Sequence, residues 1–369
     1  MKKTLTSLRN LLLIVMIFSS TLGAAGEAQA SGGLPGSLEF GYGALLSISG
    51  SDPFYALDQA SQMRLDWVCI PFDWERFMPD PTIPPDFSAF TRLIQAANAK
   101  SLSVLVVFRH PPAWAMTVEG PDAALTAAAI QALVNAHPGQ LPAIELFPGA
   151  NTVKAWGTAA NPARYFEILQ AAQAAIAQLN QNTILLPSLT PVTASPTTGD
   201  MDDLSFLDAL YNAGAQMPVI GIRFFEMTGE PLASPESANL SVLRHYEVVR
   251  RFMLEKGMGK DRIWITGFSW PNQITDAQSQ AKWLSDAYQL LKAQLYIGAA
   301  FFAWLNLPEP SDAWAGSASL IMADASTHPA YQNLKLMASA SLQDNLEAPI
   351  YRPLVKKMIK VIHYKRHSG

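Results

Sequence analysis

Short apolar runs recur along the chain at intervals that suit repeated strand–helix units. Eight read as strands: Glu39–Leu46, Asp66–Pro71, Ser103–Phe108, Pro142–Phe147, Thr183–Pro187, Val219–Phe225, Arg262–Gly267 and Ile297–Trp304. The stretches between them place apolar residues at i, i+3 and i+4, the spacing of one helix face. The clearest is PARYFEILQAAQAAIAQL, where Tyr165, Ile168, Ala172, Ile176 and Leu179 form one stripe. Asn161–Pro162 supplies that helix with a capping side chain and a first-turn proline. A second helix is expected from Asp276, in DAQSQAKWLSDAYQLLKAQ.

Eight strands, each followed by a helix or a long loop, predict a single (β/α)8 barrel, the TIM barrel. A doubly wound sheet would call for a glycine-rich phosphate loop after an early strand. FGYGALLSISG has glycines without the G-x-G-x-x-G spacing, which argues against a nucleotide cofactor. No internal repeat or low-complexity linker divides the chain, so residues 31–345 are expected to form one domain.

The two ends differ from this body. Lys2, Lys3 and Arg9 precede the apolar run Leu11–Phe18, and Ala28–Gln29–Ala30 is a small-x-small cleavage site. That order predicts a secretory signal peptide over residues 1–30 and a secreted or cell-envelope protein. The alternative, an uncleaved membrane anchor, is disfavoured because Leu11–Ala25 is shorter than the ~20 apolar residues a spanning helix needs. Cys69 is the single cysteine, which excludes an intramolecular disulfide and a cysteine metal cluster. Three of the 26 basic residues fall in the leader and six in Arg352–Gly369, leaving 17 for the body. Of the 30 acidic residues, Glu27 alone falls in the leader and none in Arg352–Gly369. Residues 31–351 therefore carry a formal charge of −12 and Arg352–Gly369 +6, which disfavours nucleic acid as a partner. The basic tail, residues 346–369, mixes Lys with Leu, Val, Met and Ile. It reads either as a solvated end or as an amphipathic segment making peripheral membrane contact.

The strand ends carry a resemblance. QMRLDWVCIPFDWERFMPD is similar to a second-strand motif V-R-x-x-x-x-W-x-x-x-E-P, and LIQAANAKSLSVLVVFRHPPAWA to a third unit ending in T-P-x-W-A. IELFPGANTVKAWGTAANPARYFEILQAAQAAI resembles a fourth unit of the form E-I-W-N-E-P-N followed by a Tyr-bearing helix. IWITGFSW with QAKWLSDAYQLL resembles a seventh, I-W-I-T-E-F-G-W then Q-A, and GAAFFAWLNL with HPAYQNL resembles the eighth strand and a closing K-P-A-Y segment. Together these motifs resemble the retaining glycoside hydrolases of clan A, family 39 above all. The resemblance implies a barrel with a carbohydrate cleft and no cofactor or metal.

Retaining glycosidases use two carboxyl groups about 5–5.5 Å apart, one as nucleophile and one as acid/base. The resemblance puts these at the ends of the fourth and seventh strands, where this chain has Gly149 and Gly267. Side-chain alternation would point Glu145, Phe147 and Gly149 one way on the fourth strand, and Ile263, Ile265 and Gly267 one way on the seventh. Glycine offers no proton, nucleophile or charge. Two further departures accompany the glycines: Cys69 stands where the second strand usually has arginine, and Arg223 with Phe224–Phe225 replaces the G-V-H-P-Y of the sixth. The fallback carboxylates are Asp73 and Glu75 after the second strand and Glu226 after the sixth, while Glu145 reads as an inward structural acid that needs a partner. Trp74, Trp114, Trp156, Trp270 and Trp304 all fall at or beyond strand ends, where flat rings could stack on sugar faces. His110 and Asn151 are further ligand-contact candidates. No H-E-x-x-H spacing or G-x-S-x-G elbow is present, which disfavours a zinc site and an esterase.

Three readings remain on sequence grounds. The first is an exported, non-catalytic carbohydrate-binding pseudo-glycosidase; the second is an active glycosidase with relocated carboxylates. The third is an envelope scaffold or protein-binding module.

Overall fold

A computed structural model describes residues 32–195, 197–224, 227–236, 241–270, 275–308 and 319–340. The leader, the basic tail, Phe225 and Glu226 lie outside the described residues.

Eight parallel strands close into a barrel, in chain order: β1 (Gly41–Leu45), β2 (Trp67–Asp73), β3 (Ser103–Arg109), β4 (Ala143–Leu146), β5 (Ile184–Leu189), β6 (Val219–Arg223), β7 (Arg262–Phe268) and β8 (Ile297–Phe302). Eight principal helices alternate with them: α1 (Pro53–Gln62), α2 (Ser88–Asn98), α3 (Ala123–Ala136), α4 (Pro162–Gln178), α5 (Asp203–Asn212), α6 (His245–Glu255), α7 (Ala277–Lys292) and α8 (Pro329–Ser339). Every predicted strand is present, with ends shifted by a few residues. The stripe predicted for α4 is buried at Tyr165, Ile168, Ala172 and Ile176. Asn161 caps that helix by accepting from the Arg164 amide. Asp52, Asp122, Asp202 and Asp276 cap α1, α3, α5 and α7 in the same way. Sequence patterning did not reveal the short helices Trp74–Phe77 and Val153–Trp156, nor the two-residue hairpin strands Met116–Thr117 and Gly120–Pro121.

The core has two compartments. Outward strand residues such as Ile70, Phe72, Ile144 and Ile265 pack with the helices in one large apolar layer. Inward residues, among them Leu45, Trp67, Leu105, Trp264 and Phe301, fill the barrel itself. At the strand N-termini, Trp67 and Trp264 meet edge to face with centroids 5.0 Å apart. Their indole N–H groups donate to the carbonyls of Gly32 and Gly33, so the segment before β1 plugs the barrel floor. Arg262 secures the plug, its guanidinium donating to the carbonyls of Leu34 and Ser37.

Candidate functional site

In a (β/α)8 barrel the chemistry collects at the C-terminal ends of the strands, where the βα loops form the mouth. Two places there depart from simple alternation. Phe147, directly after β4, has a φ of 46° and packs in the outer layer against Phe108 and Trp156. It therefore does not continue the inward line of Glu145, contrary to the period-of-two expectation; the left-handed residue turns the chain out of the strand. On β7, Ile263 and Ile265 also belong to the outer layer. A register shift pairs Ile222 with Ile265 but Arg223 with Gly267, so one extra residue bulges between them. The bulge returns Gly267 to the side of inward-facing Arg223, separating it from the two isoleucines with which strict alternation grouped it.

Gly149 and Gly267 flank a hydroxyl pair. The Gly149 amide donates to the Ser188 carbonyl at 2.7 Å. Ser188 Oγ lies 2.8 Å from Oγ1 of Thr266, the residue before Gly267. These hydroxyls face each other across Gly221, where a Cβ would come within 2.7 Å of Ser188. Neutral hydroxyls cannot replace a carboxylate pair in stabilising an oxocarbenium-like transition state.

Two described carboxylates nearby, Glu145 and Asp73, are already engaged. Glu145 from β4, Arg223 from β6 and Cys69 from β2 meet in the lumen, from strands that are not neighbours. Arg223 Nε donates to Glu145 Oε1 at 3.1 Å, its Nη2 donates to Oε2, and Nη2 lies 3.9 Å from Cys69 Sγ. Burial works against the Arg223 charge, but the Glu145 carboxylate more than offsets it and raises the guanidinium pKa. Burial pushes the Cys69 thiol up to about 12 despite the opposing guanidinium, so it stays protonated. The expectation that Glu145 is an inward structural acid with a partner describes this pair, and Arg223 is the partner.

Asp73 ends β2 and holds two neighbours through one oxygen. Its Oδ1 accepts from Arg109 Nε at 2.7 Å and lies 2.9 Å from His110 Nδ1. Burial would raise its pKa, but the His110 hydrogen bond and the Arg109 charge outweigh it and hold the carboxyl at about 2. Such a group is a poor proton donor near neutrality. Glu75 is exposed on the short helix that follows, and its amide donates to the His110 carbonyl at 2.9 Å. Glu226, the third fallback carboxylate, falls outside the described residues.

Three of the five tryptophans proposed as sugar platforms are packing residues, which corrects that expectation. Trp74 is fully enclosed between Phe108 and Trp114. Trp156 donates to the Glu119 carbonyl and lies beneath Gly120, whose φ is 123° and whose Cβ would come within 2.4 Å of the ring. Trp270 donates to the Gly229 carbonyl at 2.7 Å and packs on Phe268 and Trp283. Trp304 follows β8 and tops the inner column, with only 4% of its surface exposed, and the peptide joining it to Ala303 is cis. Trp114 is partly exposed, its indole donating to the Pro79 carbonyl at 3.1 Å.

Asn151 is also corrected. It is fully buried; its Nδ2 donates to the carbonyls of Thr190 and Met201, and its Oδ1 accepts from the Thr190 amide. All these bonds go to backbone, so the side chain ties the loop after β4 to the loop after β5. Of the predicted ligand-contact residues, His110 and Trp114 are accessible beside Arg109 and Asp73. Arg109 was missed, although its position at the end of β3, one residue before His110, was the available signal. Among the described residues no group of His, Cys, Asp and Glu has metal-binding proximity.

Comparison with known proteins places the fold. No protein-family profile and no curated protein sequence matches the chain. Solved structures do match. A family 39 glycoside hydrolase from the gut symbiont Bacteroides cellulosilyticus superposes with a TM-score of 0.62 at 17% identity, over 81% of this chain and 63% of its own. The chain thus spans less than two thirds of that enzyme. A GH5_18 protein from Bifidobacterium longum, solved in complex with Manb1-4GlcNAc, gives a TM-score of 0.63 at 12% identity, over 82% of this chain and 78% of its own. A xylanase from Cellvibrio japonicus gives 0.58 at 14% identity, over 82% and 98%. The chain has the closed (β/α)8 barrel fold that these glycoside hydrolases share.

Proposed function

We propose that this chain is an exported, family 39-like glycosidase barrel that binds carbohydrate without hydrolysing it by the two-carboxylate route. One observation carries the reading: the two strand ends that resemble catalytic positions hold Gly149 and Gly267 around a hydroxyl pair, while the lumen carboxylate Glu145 is locked to Arg223. The accessible polar and aromatic groups at the mouth, His110, Arg109, Asp73 and Trp114, then serve recognition, with Trp304 beneath them at the top of the inner column. Oligo- or polysaccharide of the cell envelope or extracellular matrix is the expected ligand class. The leader over residues 1–30 would deliver the protein to that compartment.

A glycan array tests the binding half of the proposal. Soluble oligosaccharides should bind the wild type, and Trp114→Ala and Trp304→Ala should each weaken the hits. An aryl-glycoside and polysaccharide screen on the same preparation should show no turnover above the protein-free rate. Robust hydrolysis, or an array without any hit, would overturn the reading.

A further inference from the structure

The ends of β2 and β3 form a corner of the mouth that is braced from both sides. Asp73 and Arg109 pair in register at the two strand tops. Each continues an inward line, from Cys69 on β2 and from Leu105 and Val107 on β3. Asp73 Oδ1 serves both Arg109 Nε, at 2.7 Å, and His110 Nδ1, at 2.9 Å. The Glu75 amide donates to the His110 carbonyl, and the Trp114 indole donates to the Pro79 carbonyl. These ties hold His110 at a φ of 51°, a left-handed conformation that histidine adopts at a cost. Pro111 and Pro112 then carry the chain stiffly to the short turn Ala113–Ala115 that presents Trp114.

This bracing decides what the corner offers a ligand. Asp73 is ionised near neutrality, since its carboxyl is held at about 2. A bare imidazole nitrogen 2.9 Å from a carboxylate oxygen would set two acceptors against each other. In the neutral ring the proton therefore sits on Nδ1. Nε2 is left as a free acceptor, on a side chain that is 54% exposed. Arg109 spends only Nε on Asp73; among the described residues its two terminal nitrogens have no acceptor. One acceptor and a fork of donors thus stand side by side, next to the partly exposed ring of Trp114. A sugar hydroxyl both donates and accepts, so two hydroxyls of one sugar unit satisfy this set. Charged sugars fit less well. The described βα connections around the mouth carry twelve acidic side chains against three basic ones, a field that repels acidic glycans. An ammonium sugar would meet the guanidinium of Arg109.

We propose that this corner reads an uncharged sugar unit, with His110 Nε2 accepting from one hydroxyl and Arg109 donating to a neighbouring oxygen. Asp73 is the positioning residue: it touches no sugar and fixes which imidazole nitrogen is free. Trp114 lies against the C–H face of the same or the next unit. The inference rests on the carbohydrate-binding reading above and narrows its ligand class to neutral, hydroxyl-rich oligosaccharide.

The test titrates the full chain, labelled with 15N-histidine, with cellohexaose, xylohexaose, mannohexaose and hexagalacturonate. Loss of a signal in His110→Asn assigns the His110 nitrogens; asparagine tolerates the left-handed backbone and has no counterpart of Nε2. Near neutral pH the wild type should show a protonated Nδ1 and a bare Nε2. At least one neutral hexamer should bind and move the Nε2 signal, and hexagalacturonate should bind at least about tenfold more weakly. His110→Asn should weaken the neutral hexamer about fivefold to tenfold, the worth of one hydrogen bond. Asp73→Ala should weaken it by a similar factor and leave His110 in mixed tautomers; should that variant fail to fold, the wild-type Nε2 signal decides. A proton on Nε2 in the wild type, tighter binding of hexagalacturonate, or a bound neutral hexamer that leaves the His110 signals unmoved would overturn this inference alone. Absence of binding by all four hexamers and by a glycan array would overturn the carbohydrate-binding reading and this inference with it.

Discussion

Removing one half of the Glu145–Arg223 pair should cost more than removing both. In Arg223→Met the Glu145 carboxylate stays in the lumen without the guanidinium that now donates to both of its oxygens. A buried charge stripped of its partner costs about 3–5 kcal/mol. For a folded body of about 300 residues, at ~2.1 cal/mol/K of unfolding entropy per residue, that corresponds to a fall in Tm of roughly 5–8 °C. The double variant Glu145→Gln with Arg223→Met puts two neutral side chains of similar volume in the same space. It should be more stable than Arg223→Met alone, with a coupling of ~2 kcal/mol or more between the sites. Scanning calorimetry of the wild type, both single variants and the double variant measures this directly. If the losses add to within ~0.5 kcal/mol, or if Arg223→Met leaves Tm unchanged, the pair does not hold the lumen as described.

Other positions give separate tests. Asn151→Ala removes three bonds to backbone and should lower stability by about 2–3 kcal/mol by calorimetry, with glycan affinity unchanged in the folded protein. Gly120→Ala forces a Cβ against Trp156 at a φ of 123° and should cost at least ~2 kcal/mol, visible as a lower Tm. Asp66 is raised from 3.8 to about 6, chiefly by burial. The folded state thus keeps a proton that the unfolded chain releases, and wild-type stability should decline by up to ~3 kcal/mol as pH rises from about 4 to about 6. Asp66→Asn removes that decline, so the Tm of the variant relative to wild type should climb across this window and level off above it. Asp73, held at about 2, acts in the opposite sense: its contribution is present above about 4 and lost as pH falls toward 2.

The barrel was legible in the sequence because its signal is repeated. Each apolar run is short and separated from the next by a helical pattern, so eight weak indications reinforce one another. The site was less legible, for reasons that are local and geometric. Gly267 depends on a β-bulge and Phe147 on a left-handed turn, and alternation assumes that neither occurs. The tryptophans were placed at strand ends correctly, but a residue's position does not give the direction of its ring. Trp156 turns beneath Gly120 and Trp270 turns toward Trp283 because a small residue of the hairpin and an aromatic one of α7 receive them. Asn151 looked like a ligand contact because its strand-end position suits one, whereas its partners come from a loop some 40 residues further on. Glu145 was the exception: a carboxylate inside an apolar strand demands a partner, and that physical requirement survives without knowledge of the tertiary contact.

Titration of one oligosaccharide hit, with product followed by chromatography in the same samples, tests the central claim most directly. Saturable binding should persist for hours with the sugar recovered intact, and Trp114→Ala should weaken that binding. Release of shorter sugars at a rate abolished by Asp73→Asn, Glu75→Gln or Glu226→Gln would instead show an active glycosidase with relocated carboxylates, and would contradict the account.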